Sequence, residues 1–246
     1  MKTNRNLLIL MIPALFLITS CNKDDGYSLG KTWRGIATVE NPDNESYFFF
    51  LLDNGTRMWT AATTNSYYRP ADGQRIIADF NILSDGPGSG SYNHDVRLVS
   101  AYTILTKGIF NVTEETQDSI GYDKVKIEDI WVGSNYLNIR FGYNGSNKAH
   151  FINLVSDASK TYTDDKIHLE FRHNANNDAP LYGIRGIVSF DLRSLQKEEV
   201  DSLPLVIHAN EFDESEEKTY ELTYKFTGLS DVEESYTLEE LNGDIL

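Results

Sequence analysis

Apolar and polar residues alternate with a period of two along much of this chain, and that period predicts β-strands whose two faces differ. The first clear example starts at Lys31, where Trp33, Ala37 and Val39 share one face and polar residues share the other. A segment at 75–82 alternates in the same way. The pattern therefore predicts an all-β chain that buries one face of each strand.

The residues between these two segments have the pattern of a hairpin. Two runs rich in apolar residues, 46–53 and 56–62, flank the dipeptide Asn54-Gly55. Both residues of that dipeptide tolerate the positive φ of a type I′ turn, so the sequence predicts a tight turn there. A further strand is expected at 95–105. Five short strands close together predict a small barrel of the OB type.

Residues 122–227 carry the pattern of a second β domain. A polar stretch at 111–121 has few core residues and is the expected linker from the barrel domain, residues 31–110. Seven strand candidates with turns every ~8 to 12 residues favour a two-sheet sandwich with immunoglobulin-like architecture. The seven are Asp123–Val132, Tyr136–Tyr143, Lys148–Val155, Lys166–His173, Leu181–Leu192, Leu203–Ala209 and Lys218–Phe226.

The N-terminus has the layout of a bacterial lipoprotein signal. Two basic residues precede an apolar run from Leu7 to Ile18, which is too short for a stable membrane span. Two small residues then stand before Cys21, as in a lipobox whose cysteine is acylated on its thiol. The sequence therefore predicts a signal peptide at 1–20 and lipidation of Cys21.

The segments that flank the two domains are polar. A spacer at 21–30 carries the anchor, and its Lys23-Asp24-Asp25 run resembles a signal for transfer to the outer face of the outer membrane. The alternative is a spacer without an address, with the protein on the periplasmic face. At the other end, residues 228–246 hold six acidic and no basic side chains. A loose acidic tail is expected there.

Composition narrows the range of partners. The formal net charge is −15, and a chain this acidic repels phosphate backbones, so nucleic acid is not an expected partner. Cys21 is the only cysteine, which rules out an internal disulfide and a cysteine-rich metal site. Stability is therefore expected to come from packing, to which the 14 Tyr, 12 Phe and 3 Trp residues contribute.

Several stretches, taken in order, resemble the NigD-like lipoproteins. They are the lipobox, the hairpin Phe48–Trp59, and the runs Tyr68–Arg75, Phe171–Asp178 and Val188–Leu192. The resemblance covers nearly the whole mature chain. It implies an N-terminal OB-fold domain joined to a C-terminal β-sandwich, in agreement with the strand count. The founding member of that family was named for bacteriocin immunity, largely from operon position, and the resemblance brings no catalytic residues with it.

No pattern typical of catalysis is present. Gly-x-Ser-x-Gly, P-loop and dinucleotide-binding patterns are absent. The acidic runs at 164–165 and 211–217 fall in predicted turns, with weak calcium binding as the minor alternative. The five histidines are scattered, and the one close pair, His168 and His173, falls on opposite faces of a strand. We therefore expect no catalytic residue, no metal site and no cofactor.

Two kinds of surface residue are candidates for function. Tyr67, Tyr68 and Arg69 fall in a loop of the predicted barrel, where exposed aromatic rings can stack on a sugar or a peptide side chain. Alternatively, both tyrosines cap the end of the barrel. Ser119 and Ser202 each stand in an Asp-Ser-aliphatic pattern, which resembles a site of O-glycosylation in the same bacterial group, although such short patterns also occur by chance.

The sequence as a whole favours a non-enzymatic lipoprotein, anchored in the outer membrane and exposed at the cell surface, that acts by binding. The first hypothesis is protein interaction or bacteriocin immunity, in which the lipoprotein masks a receptor or captures a toxin. The second is glycan binding as an accessory to carbohydrate uptake. A purely structural role in the envelope is the third.

Overall fold

The chain is almost entirely β-structure. This computed structural model describes residues 26–88, 90–212, 217–226 and 239–241. The first five strands close into a barrel. They are β1 (Thr32–Glu40), β2 (Phe49–Leu52), β3 (Arg57–Thr63), β4 (Arg75–Asp85) and β5 (His94–Thr103).

The barrel closes because β4 pairs with both β5 and β1. The strand order is β1-β2-β3-β5-β4, and β3 runs parallel to β5. Phe50, Phe80 and Val96 fill the interior and are fully buried. The face of β1 that holds Trp33 and Ala37 packs into the same core, as the alternation predicted. The predicted five-stranded OB-like barrel is thus confirmed.

The hairpin predicted around Asn54-Gly55 forms, but the expected turn type is wrong. A type I′ turn requires a positive φ at both central residues, and of these two only Gly55 has one, at 87°. The side chain of Asn54 instead accepts a hydrogen bond from the Thr56 N–H at 2.9 Å. The pairing of the two strands ends early because Asp53 turns away, and its N–H donates to Ile36 O of β1 at 3.1 Å.

The second domain is a sandwich of a five-stranded and a four-stranded sheet. Its strands are β6 (Leu105–Lys107), β7 (Ile109–Val112), β8 (Lys126–Gly133), β9 (Tyr136–Gly145), β10 (Phe151–Asp157), β11 (Ile167–Asn174), β12 (Tyr182–Asp191), β13 (Ser202–Ala209) and β14 (Lys218–Lys225). Their order is β14-β13-β11-β10-β7 in one sheet and β6-β12-β9-β8 in the other. A short helix, α1 (Gln117–Ile120), and a 3₁₀ turn (Arg193–Leu195) complete the domain.

The sandwich class is confirmed, but the described residues contain nine sandwich strands where seven were predicted. The two additional strands, β6 and β7, have only three and four residues, too few to show an alternating pattern. They pair in parallel with β12 and β10, so the chain enters the sandwich directly after residue 104. The segment 111–121 therefore differs from the expected linker, since Ile120 is buried against Val112 and Val155.

The sandwich core lies between the two sheets and receives the faces that the alternation predicted. Leu169 and Phe171 of β11 and Tyr224 of β14 are buried there. The Phe171 ring meets the edges of Phe141 and Phe190 at centroid distances of 5.2 and 6.2 Å. These contacts bring both sheets into one core.

The two domains share an apolar contact. Ile36 of β1 and Ile77 of β4 point away from the barrel core, and with Ile104 they pack against Trp131 and Ile187 of the sandwich. Trp131 is only 5% exposed. Part of the outer face of two barrel strands is therefore covered by the second domain rather than by solvent.

A buried ion pair lies next to this contact. Arg75 and Asp53 form a bidentate pair with distances of 2.6 and 2.9 Å, and both side chains have no exposed surface. The guanidinium also donates to Asn138 of the sandwich at 2.9 Å and to Thr38 at 3.1 Å. Ser189 of β12 donates to the same Asn138 oxygen at 2.7 Å. Arg75, which lies on the polar face of β4 in the sequence pattern, thus joins the two domains.

Part of the expected acidic tail is ordered as a strand. Residues of β15 (Glu239–Leu241) pair antiparallel with β1 at Thr32, Trp33 and Arg34. The pairing is possible because β2 reaches only as far as Ala37 along that edge of β1, which leaves backbone groups free for another strand. The rest of the predicted tail, residues 228–238 and 242–246, lies outside the described residues, as do Cys21 and the run Lys23-Asp24-Asp25. In the described part, no helix is long and apolar enough to cross a membrane.

Candidate functional site

A groove opens on the outer wall of the barrel, where the β2–β3 hairpin meets the loop at 41–48. Successive strand residues point to opposite faces, so the buried Phe48 and Phe50 leave Phe49 on the outside. Trp59 of β3 is paired directly with Phe49, and the two ring centroids lie 4.5 Å apart. These two half-buried rings form the floor of a groove of about 600 Å³.

Arg57 extends across this aromatic floor. Its guanidinium carbon lies 3.9 Å from the centroid of the Phe49 ring. Its Nε donates to Glu40 Oε2 at 2.6 Å, and one terminal nitrogen donates to Ser91 O at 2.6 Å. Tyr92, in the loop between β4 and β5, lies 5.5 Å from Phe49. A cation–π contact and a charge-assisted hydrogen bond therefore hold the Arg57 side chain in one place.

A buried asparagine fixes the loop that forms the second wall. Asn41 is 4% exposed, and its side-chain amide donates to Glu45 O and Pro70 O, both at 3.0 Å. Its Oδ1 accepts from the Glu45 N–H at 2.8 Å, and its own N–H donates to Asp72 Oδ1 at 2.8 Å. With every polar group of Asn41 satisfied, the loop is preformed on the barrel.

The rim of the groove is acidic. Its lining residues include four carboxylates, Glu40, Asp43, Glu45 and Asp72, and one guanidinium, that of Arg57. Four negative charges and one positive charge make a formal charge of −3. Arg57 pairs with Glu40, whereas no ion pair joins Asp43 or Glu45 to a cation in the described residues. The groove therefore combines aromatic rings with carboxylates that have no counterion among the described residues.

The loop residues that the sequence singled out lie beside this groove but do not form one platform. Tyr67 is 90% exposed. Tyr68 packs against the barrel core with its ring 6.2 Å from that of Phe48, and burial raises the pKa of its hydroxyl. Arg69 donates to the carbonyls of Ser66 and Tyr68 at 2.6 and 3.1 Å. Tyr68 thus takes the capping position that the alternative prediction gave to both tyrosines, whereas Tyr67 does not.

The aromatic floor itself was missed at the level of sequence. Phe49 lies inside the run Phe48–Phe50, which has no alternation. Only the register of the hairpin shows that Phe49 and Trp59 point outward together. Such a pair can be found in the sequence by counting residues outward from the turn along both strands, because positions at matching distances face each other.

The two candidate glycosylation serines are both exposed. Ser119 lies in α1, where its hydroxyl donates to Thr116 O at 2.8 Å. Ser202 is the first residue of β13. The structure places them on different elements of the sandwich, and neither lines the groove.

Four of the five histidines, which are scattered in the sequence, form two pairs in the fold. On the outer face of the five-stranded sheet, His168 Nδ1 lies 2.9 Å from His208 Nε2. Asp164 lies 2.7 Å from His168 Nε2, and Glu217 lies 2.6 Å from His208 Nδ1. A carboxylate–histidine–histidine–carboxylate chain results. The hydrogen bond from His168 lowers the pKa of Asp164.

The second pair lies on the other face of β11. His150 Nδ1 is 2.7 Å from His173 Nε2, and His150 Nε2 is 3.2 Å from Asp178 Oδ2. His173 is 2% exposed, and its Nδ1 has no hydrogen-bond partner among the described residues. Burial first, and then the neighbouring His150, lower the pKa of His173. His168 and His173 thus do lie on opposite faces, but each meets a histidine of another segment.

Neither pair extends to a metal centre. Across residues 26–88, 90–212 and 217–226, no three side chains of His, Cys, Asp or Glu are arranged to hold a metal ion. In the same residues, neither histidine pair has a hydrogen bond to the side chain of a serine, threonine or cysteine. In each pair the two imidazole rings contact each other and at least one contacts a carboxylate, an arrangement typical of a structural polar cluster.

Together, the barrel and the sandwich define a class of two-domain all-β proteins. Two family models match the chain: the NigD-like N-terminal OB domain at residues 36–104 and the NigD-like C-terminal beta sandwich domain at residues 108–224. The matched ranges agree with the observed change from barrel to sandwich at residue 104. Among curated proteins, no sequence matches this chain.

Solved structures support the same assignment. A protein from Parabacteroides distasonis, provisionally described as toxin related, is 32% identical with a TM-score of 0.69, over 80% of this chain and 95% of its own. A protein of unknown function from Bacteroides vulgatus is 30% identical with a TM-score of 0.69, over 80% and 92% of the two chains. A NigD-like immunity protein from Bacteroides caccae is 17% identical with a TM-score of 0.56, over 80% and 93%, and shares the fold.

The chain belongs to the NigD-like family. The family models cover both domains, and the identity to the Parabacteroides structure extends over most of the chain. The resemblance found in the sequence is therefore confirmed. The related structures are described as immunity, toxin-related or unknown-function proteins.

Proposed function

We propose that this protein is a non-enzymatic envelope lipoprotein that binds a protein partner, in the manner of an immunity protein. The observation that carries the proposal is the barrel groove, with the rings of Phe49 and Trp59 at its floor. Aromatic surface that is already held in place is a common source of affinity at protein interfaces. The descriptions of two relatives, as an immunity protein and as toxin related, support a protein as the partner.

The proposal includes a lipid anchor at Cys21. Acylation of that thiol would hold the protein at a membrane surface, with the barrel as the nearer domain along the chain. The outer membrane, with the protein exposed at the cell surface, is the proposed location, and its periplasmic face is the alternative. Support comes from a Bacteroides fragilis protein, provisionally described as a lipoprotein, that shares the fold at 15% identity and a TM-score of 0.56.

A challenge experiment tests the immunity role. Cells that produce wild-type protein, Trp59→Ala or Tyr182→Ala are exposed to bacteriocin preparations from competing strains. Tyr182 is the matched control, because it is 66% exposed on β12 of the sandwich and does not line the groove. We expect wild type and Tyr182→Ala to protect the cells, and Trp59→Ala to lose most of the protection at equal protein level.

Two outcomes would contradict the proposal. Absence of protection by the wild type would exclude immunity against those bacteriocins. Equal protection by all three proteins would exclude the groove as the site. Tyr67→Ala belongs in the same series, because that ring is 90% exposed; a loss confined to Tyr67→Ala would move the site to the neighbouring loop.

Glycan binding is the second candidate function. The half-buried ring of Trp59 favours it, because sugar rings stack on aromatic faces and carboxylates accept hydrogen bonds from hydroxyl groups. A glycan array with wild type and Trp59→Ala separates the candidates. Strong binding of neutral glycans that depends on Trp59 would favour carbohydrate uptake over immunity.

A further inference from the structure

We infer that the barrel groove binds a cationic peptide segment that carries an aromatic or aliphatic anchor. The inference rests on the proposed function and names the chemistry of the partner at the same site. It is carried by three features of the groove: its charge, its internal arginine, and its size.

Charge is the first feature. The lining carries a formal charge of −3, and the whole chain carries −15. Asp43 and Glu45 are exposed, and neither carboxylate forms an ion pair or a hydrogen bond with another described residue. An approaching cation is attracted both by these two carboxylates and by the long-range field of the protein. An anionic ligand is repelled by both.

The internal arginine shows what the groove accommodates. Arg57 lies over the Phe49 ring at 3.9 Å while it pairs with Glu40 at 2.6 Å. One guanidinium thus already uses an aromatic face and a rim carboxylate together. Trp59, with Asp43 and Glu45 on the same groove, offers the same combination of groups to a cation from a partner. Recognition of arginine or lysine at an aromatic face is a known use of such sites.

Size is the third feature. A groove of about 600 Å³ lies in the ~300 to 1,000 Å³ range of pockets for compact ligands. It holds a few side chains of an extended peptide rather than the face of a folded domain. Tyr47 is 48% exposed at the rim, so its ring is available beside Trp59 for an apolar anchor. The partner is therefore a short segment, presented by a toxin peptide or by an exposed loop.

A peptide titration tests the inference directly. Three synthetic peptides of equal length alternate leucine with arginine, glutamine or glutamate, and each is titrated into the purified lipoprotein in detergent. We expect the arginine peptide to bind about tenfold or more tightly than the glutamine peptide, and the glutamate peptide not to bind. Raising the sodium chloride concentration from about 50 to 500 mM is expected to weaken binding of the arginine peptide several-fold, because salt screens exposed charges.

Matched variants locate the effect. The double variant Asp43→Asn with Glu45→Gln is expected to weaken binding of the arginine peptide about fivefold. The control, Glu198→Gln with Glu199→Gln, removes two exposed carboxylates of the sandwich and is expected to leave that binding unchanged. Trp59→Ala is expected to weaken it about tenfold or more. The carboxylate variants do not threaten the fold, so they remain informative if Trp59→Ala is unstable.

The outcomes distinguish this inference from the proposed function. Three results would overturn the inference of a cationic partner. They are equal binding of the arginine and glutamine peptides, no binding of the arginine peptide, and no effect of Asp43→Asn with Glu45→Gln on that binding. If Trp59→Ala nevertheless abolishes protection in the challenge experiment, the proposed function stands without it. Tighter binding of cellohexaose, a neutral oligosaccharide, than of the arginine peptide would overturn the inference in favour of a glycan.

Discussion

Replacement of Arg75 by alanine tests the buried network that joins the two domains. In the wild type, the Arg75 guanidinium makes four side-chain hydrogen bonds of 3.1 Å or less, two to Asp53 and one each to Asn138 and Thr38. The central carbon of the guanidinium also lies 4.4 Å from the centroid of the Tyr136 ring. Arg75→Ala removes all of these contacts and leaves the Asp53 carboxylate fully buried beside a cavity.

The expected cost follows from the buried charge of Asp53, which loses the guanidinium beside it. Removal of one partner from a buried ion pair costs ~3 to 5 kcal/mol, because the remaining charge loses its partner and does not regain its hydration. Asn138 still donates to Asp53 at 2.9 Å, which favours the lower end of the range. For a chain of this size each kcal/mol corresponds to ~2 to 4 °C, so the melting temperature is expected to fall by roughly 6 to 20 °C.

Urea unfolding followed by circular dichroism measures the change, with Arg185→Ala as the matched control. Arg185 pairs with Glu128 at 2.7 Å, but its side chain is 82% exposed. Loss of such a surface pair is expected to cost less than about 1 kcal/mol. A double variant, Arg75→Met with Asp53→Leu, removes both charges and is expected to recover more than half of the loss.

Either of two results would refute this reasoning. A loss of less than about 1 kcal/mol in Arg75→Ala would mean that the remaining contacts of Asp53 are enough to stabilise its buried charge. A double variant as unstable as Arg75→Ala would mean that lost packing, rather than an unpaired charge, causes the effect.

Three further predictions concern other parts of the molecule. Gly133→Ala is expected to destabilise the domain contact by ~1 to 3 kcal/mol, because an added Cβ would lie 2.4 Å from the Asp53 carboxyl group. Gly183→Ala is the control, because an added Cβ there would have no atom within 4 Å. Burial lowers the pKa of His173 from 6.5, so below pH 6.5 the unfolded chain binds more protons than the folded chain. The free energy of unfolding is therefore expected to decrease on acidification. Urea titrations of His173→Gln are expected to show a shallower dependence of that free energy on pH. Cys21→Ala is expected to abolish incorporation of an alkyne fatty acid in cells; label retained by that variant would exclude the proposed anchor.

Much of the fold is determined by alternation within the chain. The inward faces of β1 and β11 were predicted correctly, because a strand that buries one face needs apolar residues at every second position. Leu169 and Phe171 illustrate this in the sandwich. The order and spacing of weak motifs also indicated the NigD-like family, which the family models confirm. These features are local, or they depend only on order along the chain.

Other features depend on which strands become neighbours. β6 and β7 have three and four residues and pair in parallel with strands far along the sequence, so no local pattern indicates them. His168 and His208 are 40 residues apart and meet because β11 and β13 are adjacent. Their separation in sequence gave no sign of a pair.

The candidate site and the domain contact were decided by tertiary structure alone. Phe49 and Trp59 are ordinary residues of apolar strands until the hairpin register sets them side by side on the outer wall. Arg75 has the pattern of a solvent-facing residue, yet the second domain covers it and supplies Asn138 as a partner. Alternation separates the two faces of a strand, but only the packing of the whole chain determines what each face meets.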